Sequence, residues 1–252
     1  MSTSDQMNLS PDMPNGIGVL PSQDLAARVV GYCTHPKSGW QTYDMLGAVA
    51  RSHGQFNEIA PWSLLWADTL AGRISVSDIA GFTYDFRSTL AQRLKAVPVK
   101  DLADMDDDGL EALTLLCRSG FAGAWAPKIT KMLALYRPNA IPVLDGHVAM
   151  AMGFRRDGFR LDKEARWERI RQTLATLRTI LRQQHDELTH IRNQIAQAVP
   201  DICEVTDLRL LDIAIWTSQD DRMSRPGSPM DYWLNRGGYE YRPNRLDPVP
   251  LP

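Results

Sequence analysis

Apolar positions along the chain recur mostly at intervals of three, four and seven residues, the period of an amphipathic α-helix. The longest such pattern covers residues 162–198 and stops before Pro200. Its polar residues 183–186 predict a bend between two packed helices. The shorter segments with the same period, which also predict helices, are residues 23–32, 42–53, 62–70, 85–97, 110–116 and 208–217.

No segment shows a convincing alternation of apolar and polar residues, the pattern of a half-buried strand. Residues 140–144 come nearest, but they are few and include Pro142. The pattern therefore predicts a mainly α protein of about eight helices, which we expect to form two lobes with a functional site at their junction.

The distribution of apolar residues also predicts three regions. Residues 1–20 are polar and rich in Ser, Pro, Asn and Asp, so we expect a disordered N-terminal segment. Residues 21–217 form the predicted α-helical domain, with a hairpin unit at residues 120–153. Residues 218–252 are rich in Gly, Pro and Arg and predict an irregular tail.

The hairpin unit places a lysine and an aspartate before its two apolar runs. Lys128 opens a run that stops at Pro138, and Asp145 stands before a second run that begins at Val148. Interpreted as helix, turn and helix, this spacing brings both groups to helix N-termini. Asp145 also fits a purely structural role, because aspartate is a preferred N-cap residue.

Charge is distributed unevenly along the chain. The formal net charge is −2, but residues 118–200 carry 14 basic and 7 acidic residues. This excess of +7 surrounds the hairpin unit and favours DNA or another phosphorylated nucleic-acid ligand as the partner. The alternative is an ordinary solvated helical face, since Arg166, Arg169 and Arg171 alternate with Glu164 and Glu168.

Cysteine usage and hydropathy exclude several classes of protein. The chain has 3 cysteines, widely spaced and without a Cys-x-x-Cys pair, so we predict no metal site, no cofactor and no disulfide framework. Acidic residues 106–108 are adjacent rather than alternate, which fits a helix start better than a calcium loop. No long uncharged apolar stretch is present, so we expect a cytoplasmic protein without a membrane segment.

The hairpin unit resembles the helix-hairpin-helix DNA glycosylases of the endonuclease III and 8-oxoguanine glycosylase type. The resemblance implies a multi-helix, two-lobed fold in which Lys128 is the nucleophile and Asp145 the catalytic carboxylate. Asp145, Gly146 and His147 match the Asp-x-His of many members. The predicted nucleic-acid contacts are Gly123 in the hairpin, Trp125, Lys131 and His147, with Trp125 either stacking on an unpaired base or packing in the core.

A longer resemblance connects the chain with an uncharacterised bacterial family. Its motifs are Thr42-Tyr43-Asp44, then Arg137-Pro138 followed by Pro142-Val143 and Asp145, and finally residues 208–212 with Trp216. This resemblance implies no activity. Tyr43, Asp44 and Asp212 are expected either to join helix ends by hydrogen bonds or to line the Asp145 site.

Three functions remain open from the sequence. The first is a glycosylase-like enzyme that flips a nucleotide and cleaves its N-glycosidic bond. The second is a catalytically inactive nucleic-acid-binding module, favoured because residues 123–127 read Gly-Ala-Trp-Ala-Pro where the glycosylases have Gly-hydrophobic-Gly. The third is an α-helical interaction protein with Trp-rich partner surfaces.

Overall fold

Helices dominate the architecture, as the apolar pattern predicts. A computed structural model describes residues 8–9, 20–35, 38–121, 124–160 and 163–219. The α-helices are α1 (Ser22–Thr34), α2 (Leu46–Ser52), α3 (Val76–Gly81), α4 (Arg87–Ala96), α5 (Asp107–Cys117), α6 (Ala126–Tyr136), α7 (Gly146–Ala151), α8 (Lys163–Gln183), α9 (His185–Ala196) and α10 (Asp207–Gln219).

Short elements of other geometry connect these helices. Two π-helical segments, Trp40–Met45 and Phe82–Phe86, run directly into α2 and α4. The 3₁₀ helices are Ser63–Leu70, Leu102–Asp104 and Pro200–Glu204. Two antiparallel strands, β1 (Asn8–Leu9) and β2 (Leu20–Pro21), pair ahead of α1.

Side-chain caps fix several helix starts. Ser75 and Asp78 form a reciprocal capping box on α3. The carboxylate of Asp106 accepts a hydrogen bond from the Gly109 amide at 2.8 Å, which begins α5 at the predicted acidic turn. Thr206 accepts one from the Arg209 amide at 3.2 Å and begins α10. Each cap satisfies an amide that the helix leaves without a partner.

The last helix lies at the centre of the packing. Helix α10 packs against α1, α7 and α9, and its Leu211 and Ile215 are fully buried. Helix α6 packs against the 3₁₀ helix Ser63–Leu70. The buried apolar side chains form one contiguous core, so the predicted division into two lobes stays a prediction.

The segment at residues 62–70 differs from its prediction. It winds as a 3₁₀ helix, and two residues expected on its buried face, Trp62 and Leu65, are 59% and 46% exposed. A 3₁₀ helix has three residues per turn, so positions i and i+3 share a face. Leu64 and Ala67 have this spacing, and both are fully buried.

Other boundaries agree with the apolar pattern or lie outside the described residues. The bend predicted at residues 183–186 is confirmed by the break at Gln184 between α8 and α9. The predicted disordered segment includes the strand β1, while most of residues 1–20 lies outside the described residues. The predicted tail begins inside α10, and residues 220–252 lie outside as well.

Across the described ranges, every helix is too short or too polar to cross a lipid bilayer.

Candidate functional site

Asp145 stands at the start of α7 on a firmly held segment. The backbone before it is buried, and the Leu144 amide donates to Thr130 Oγ1 of α6 at 3.0 Å. Asp145 has extended backbone angles, and its Oδ1 accepts from the amides of His147 at 2.8 Å and Val148 at 3.3 Å. The predicted N-cap role is therefore confirmed.

The Asp145 carboxylate is mostly buried yet favours its ionised form. Its side chain is 16% exposed, and Oδ2 lies 3.5 Å from His147 Nδ1. Burial alone would raise the pKa of Asp145, but the hydrogen bond and charge of His147, together with the charge of Lys131, hold it below the usual value. A negative charge is thus favoured among the residues that line a cleft.

The cleft beside Asp145 has a volume of about 860 Å³. It opens between α1, the end of the 3₁₀ helix Ser63–Leu70, α6, α7 and α10. Basic side chains outnumber acidic ones along its walls. The basic lining residues are Arg73, Lys131, Arg155, Arg156, Arg160 and Arg209, and the acidic ones are Asp145, Asp157 and Asp212.

Lys128 does not line this cleft. Its Nζ donates to Asp78 Oδ2 at 2.7 Å, and Asp78 is only 2% exposed. Lys128 instead lines an adjoining pocket of about 260 Å³. Lys128 and Asp145 therefore line neighbouring cavities rather than one cleft, because the buried carboxylate of α3 binds the ammonium. The Ser75-x-x-Asp78 capping box was the sequence signal for that carboxylate. The role of Lys128 as nucleophile stays a prediction.

Lys131, one helical turn after Lys128, is the lysine that lines the Asp145 cleft. Its Nζ donates to the Leu70 carbonyl oxygen at 2.8 Å. Burial lowers the pKa of Lys131, partly opposed by the charges of Asp145 and Asp212. Lys131 also lines the adjoining pocket, so it connects the two cavities.

The hairpin before α6 is closed by a small bridge. Phe121 and Ala124 exchange backbone hydrogen bonds of 3.0 Å, and Gly123 lies outside the described residues. Trp125 follows as the N-cap residue of α6 and lines the adjoining pocket. The Arg166 guanidinium lies 4.4 Å from the centre of its ring. Base stacking by Trp125 stays a prediction.

His147 is buried and lines the cleft together with Trp216 of α10. Their ring centres are 5.3 Å apart in an edge-to-face arrangement. Within the described ranges, no cluster of three metal-ligating side chains occurs. His147 is therefore part of a polar and aromatic wall that also includes the Asp145 carboxylate.

A glycine allows the loop that carries three of the arginines to approach α7. A Cβ added at Gly146 would lie 2.7 Å from Arg156 Cγ and 2.9 Å from the Arg156 carbonyl oxygen. Such distances are shorter than real carbon contacts, so only glycine permits this packing. Arg155 and Arg160 of the same loop line the cleft as well.

A buried network around Arg209 forms the wall of the cleft on the α10 side. Arg209 Nε and Nη2 donate to the two oxygens of Asp44 at 2.6 and 3.1 Å, and Nη1 contacts Asp212. Nη2 also donates to Tyr32 Oη at 3.0 Å, and Tyr32 donates to Asp44 at 2.9 Å. The three elements joined in this way are α1, the π-helical segment Trp40–Met45 and α10.

The network shifts the pKa values of its members. Burial opposes the charge of Arg209, but Asp44, Tyr32 and Asp212 raise its pKa above the ordinary value. Burial, with the nearby negative charges of Asp145 and Asp44, raises the pKa of Asp212 to about 7 despite the opposing effect of Arg209. Asp212 is thus a second cleft carboxyl, and its pKa is higher than that of Asp145.

The sequence motifs indicated part of this network. Asp44 and Asp212 were expected to join helix ends or to line the Asp145 cleft. Asp44 joins helix ends, whereas Asp212 does both. Sequence analysis missed Tyr32 and assigned no role to Arg209, although Arg209 belongs to the motif at residues 208–212. The motif by itself does not say what the guanidinium binds.

Comparison with known proteins gives a family and no activity. No curated protein and no solved structure matches the chain significantly. The model of a family of unknown function, DUF6308, matches residues 24–219, which include every element of the cleft and of the Arg209 network. The chain therefore belongs to this family of unknown function.

Proposed function

We propose that the cleft binds a nucleoside unit of a nucleic acid and cleaves its N-glycosidic bond, as a DNA glycosylase-like enzyme does. One observation carries the proposal: the Asp145 carboxylate, which favours its ionised form, lines a cleft whose other charged lining residues are mainly basic. Phosphates would bind the basic walls, and the carboxylate would face the sugar.

The carboxylate suits the charge that develops in this reaction. As the bond from the sugar to the base breaks, positive charge builds on the sugar ring. Asp145 is fixed by the amides of His147 and Val148, so its negative charge needs little reorganisation to stabilise that state. Its low exposure strengthens the effect, because water screens the charge poorly there.

The basic walls suit the phosphates on either side of a nucleotide. Arg155, Arg156 and Arg160 lie on the loop after α7, Arg73 follows the 3₁₀ helix Ser63–Leu70, and Lys131 lies on α6. Cations that neutralise phosphates release counterions and make binding depend strongly on salt. The volume of about 860 Å³ also lies within the range of small-molecule sites, which admits one extruded nucleoside.

The order of elements gives further support. Helix α5 ends at Cys117, the Phe121–Ala124 bridge closes a hairpin, and α6 begins at Ala126. Asp145 then caps the next helix. This succession agrees with the helix-hairpin-helix resemblance of the sequence, and we include a glycosylase-like fold in the proposal on that ground.

Water is the nucleophile in this proposal. The ammonium of Lys128 is bound to Asp78 and lines only the adjoining pocket, so it is poorly placed to attack the sugar. Lys131 lines the cleft, and burial lowers its pKa, which makes it the lysine to test for covalent chemistry. Borohydride trapping with Lys131→Met and Lys128→Met proteins separates the two lysines from the water pathway.

Base release tests the proposal directly. Duplex and single-stranded oligonucleotides carrying damaged or modified bases are incubated with wild-type, Asp145→Asn and Asp157→Asn proteins. Asp157 lines the same cleft and its side chain is 35% exposed, so it controls for the loss of one negative charge. We expect release by wild type and Asp157→Asn, and a loss of about 100-fold or more in Asp145→Asn. Equal release by both variants would exclude a catalytic Asp145.

The second candidate function is nucleic-acid binding without catalysis. It is favoured by the capping bonds of Asp145, which explain this residue without any reaction. Salt-dependent binding of the same oligonucleotides, with no base release, would identify this function. Absence of binding at about 0.15 M salt would leave the third function, protein interaction, for which the exposed Trp62 is the best starting point.

A further inference from the structure

Two carboxyl groups approach the interior of the cleft from different helices. Asp145 caps α7, and Asp212 lies in the second turn of α10 with a side chain that is 7% exposed. Both line the same cavity. Pairs of carboxyls that differ in protonation are the usual way in which glycosidic bonds are given both an acid and a charge stabiliser.

The hydrogen bonds around Arg209 distinguish the two carboxyls of its network. Asp44 accepts from Nε and Nη2, so it forms the two-pronged pair that neutralises a guanidinium best. Asp212 contacts only the remaining Nη1. Asp145, by contrast, is held ionised by two backbone amides at a helix N-terminus. Asp212 therefore accepts fewer hydrogen bonds than Asp44 or Asp145, so its ionised form is the least stabilised of the three by this geometry.

The electrostatic surroundings lead to the same carboxyl. Asp212 lies near two other buried carboxyls, Asp145 and Asp44, whose charges disfavour its ionised form, whereas Arg209 favours it. Asp44 and Asp145 each have a further cationic neighbour, Arg51 and His147 respectively. The pKa of Asp212, raised to about 7, agrees with this assignment, since that of Asp145 is lowered.

We infer that Asp212 is the general acid of the cleft and gives its carboxyl proton to the departing nucleobase. This inference rests on the proposed function. The bond from the sugar carbon to the base nitrogen breaks with its electron pair moving to the base, which takes the proton of Asp212. Asp145 stabilises the sugar cation, water adds to the sugar carbon, and the proton released by that water returns to Asp212.

The charged groups around Asp212 determine the pKa of its carboxyl group. Arg209 and Lys131 favour the ionised carboxyl, whereas Asp44, Asp145 and burial favour the protonated one. On α8 and α9, Arg182 donates to the Met105 carbonyl and Arg192 to Asp207. Other titratable groups near this part of α10 include Tyr32 and Cys33 of α1, Tyr43 of the π-helical segment, Arg51 of α2, His147 of α7 and Glu204 of the 3₁₀ helix Pro200–Glu204.

Substrates with different leaving groups test the acid role. A nucleobase needs a proton as it departs, but 4-nitrophenolate does not. Oligonucleotides carrying either a releasable base or a 4-nitrophenoxy group at one deoxyribose are given to wild-type, Asp212→Asn and Asp44→Asn proteins. We expect Asp212→Asn to release base about 100-fold or more slowly than wild type, yet to release 4-nitrophenolate at close to the wild-type rate.

The Asp44→Asn protein is the matched control. Asp44 shares Arg209 with Asp212 but does not line the cleft, so this variant disturbs the network without removing a proton donor. If Asp212 had only a structural role, Asp212→Asn and Asp44→Asn would each lose base release and 4-nitrophenolate release to a similar degree. That result would overturn the inference. Wild-type protein that releases neither group would overturn the proposed function and the acid role together.

Infrared difference spectra test the proton without any substrate. Wild-type protein should show the carbonyl stretch of a protonated carboxyl at about pH 6 that weakens by about pH 8, around the pKa of about 7. The Asp212→Asn protein should lack this change. If wild type shows no such band while base is still released, the acid role fails and the proposed function stands.

Discussion

At the scale of single residues, the partner of a charged group decides what that group can do. Lys128 and Lys131 are one turn apart on α6, yet the first is bound by Asp78 and the second lines the Asp145 cleft. The pKa of Asp78 is lowered by its bonds to Lys128 and Ser75, which outweigh the effect of burial. Lys128 therefore serves as the counterion of a buried carboxylate.

Removing that counterion should destabilise the fold. In Lys128→Met the carboxylate of Asp78 stays buried and keeps only Ser75 as a partner. We expect a loss of about 1–3 kcal/mol in the free energy of unfolding, measured with urea. The control is Lys100→Met, whose pair with Asp106 is exposed and should change stability by less than about 1 kcal/mol. Equal losses would contradict a buried role for the pair.

Asp212 should give the protein a distinctive dependence of stability on pH. Its pKa of about 7 in the folded state exceeds the unfolded value of about 3.9, so the folded state binds the proton more tightly. This contribution is complete below about pH 4 and is lost as pH rises through 7. The lowered pKa of Asp145 acts oppositely, and its contribution is lost only in acid.

Urea unfolding of wild-type and Asp212→Asn proteins between about pH 5 and pH 8 measures this effect. We expect wild type to lose stability over that window by on the order of a few kcal/mol relative to the variant, which lacks the titrating carboxyl. Parallel curves for the two proteins would show that Asp212 does not titrate there.

At the scale of elements, the contact between α7 and the loop after it sets the basic wall of the cleft. Gly146 permits this contact because an added Cβ would meet both the side chain and the backbone of Arg156. The same residue begins α7 directly after Asp145. The two adjacent residues Asp145 and Gly146 therefore position both the carboxylate and the arginine loop.

Gly146→Ala should move the arginine loop away from α7. Because the Arg156 backbone cannot yield as a flexible side chain does, we expect unfolding to become easier by about 1–3 kcal/mol and oligonucleotide binding to weaken. Urea unfolding and salt-dependent binding measure the two effects. The matched control is Gly47→Ala in α2, where the new Cβ meets only a terminal methyl of Leu135. Unchanged binding by Gly146→Ala would mean that the loop does not hold phosphates.

Short elements also show that the spacing of apolar residues does not by itself predict the type of helix. The segment at residues 62–70 has the spacing of an α-helix, but its 3₁₀ winding buries Leu64 and Ala67 and exposes Trp62. The two windings differ by only about half a residue per turn. Packing of this segment against α6 selects between them, and that contact is remote in sequence.

At the scale of the whole molecule, Arg209 connects the beginning of the helical domain with its end. Its guanidinium binds Tyr32 of α1 and Asp44 of the π-helical segment, as well as Asp212 one turn along α10. It also lies 5.1 Å from the centre of the Tyr43 ring. These contacts make one wall of the cleft depend on the complete fold.

Arg209→Met should therefore lower global stability strongly. It leaves the Asp44 carboxyl buried without its cation, which typically costs about 3–5 kcal/mol. Thermal and urea unfolding measure the loss, and Arg171→Met, whose pair with Glu168 is exposed, is the control that should stay close to wild type. A small loss in Arg209→Met would mean that the network is not a stability determinant.

The sequence by itself determined the helical class, the break between α8 and α9, and the caps at Asp106 and Asp145. These features depend on residues within a few positions of each other, so periodicity and capping chemistry are sufficient. The sequence also singled out Asp145, because its apolar surroundings and helix-start position are local properties.

Only the tertiary structure decided which charges meet. Asp78 and Lys128 are 50 residues apart, and Arg209 and Tyr32 are 177 apart, so no local pattern reveals either contact. Helix propensity and hydrophobic period fix what each segment becomes, but the pairing of buried charges depends on how the finished helices pack. For that reason the Asp145 carboxylate was predictable from the sequence, whereas the sequence left two alternatives open for Asp212 and did not show that Lys131 rather than Lys128 lines its cleft.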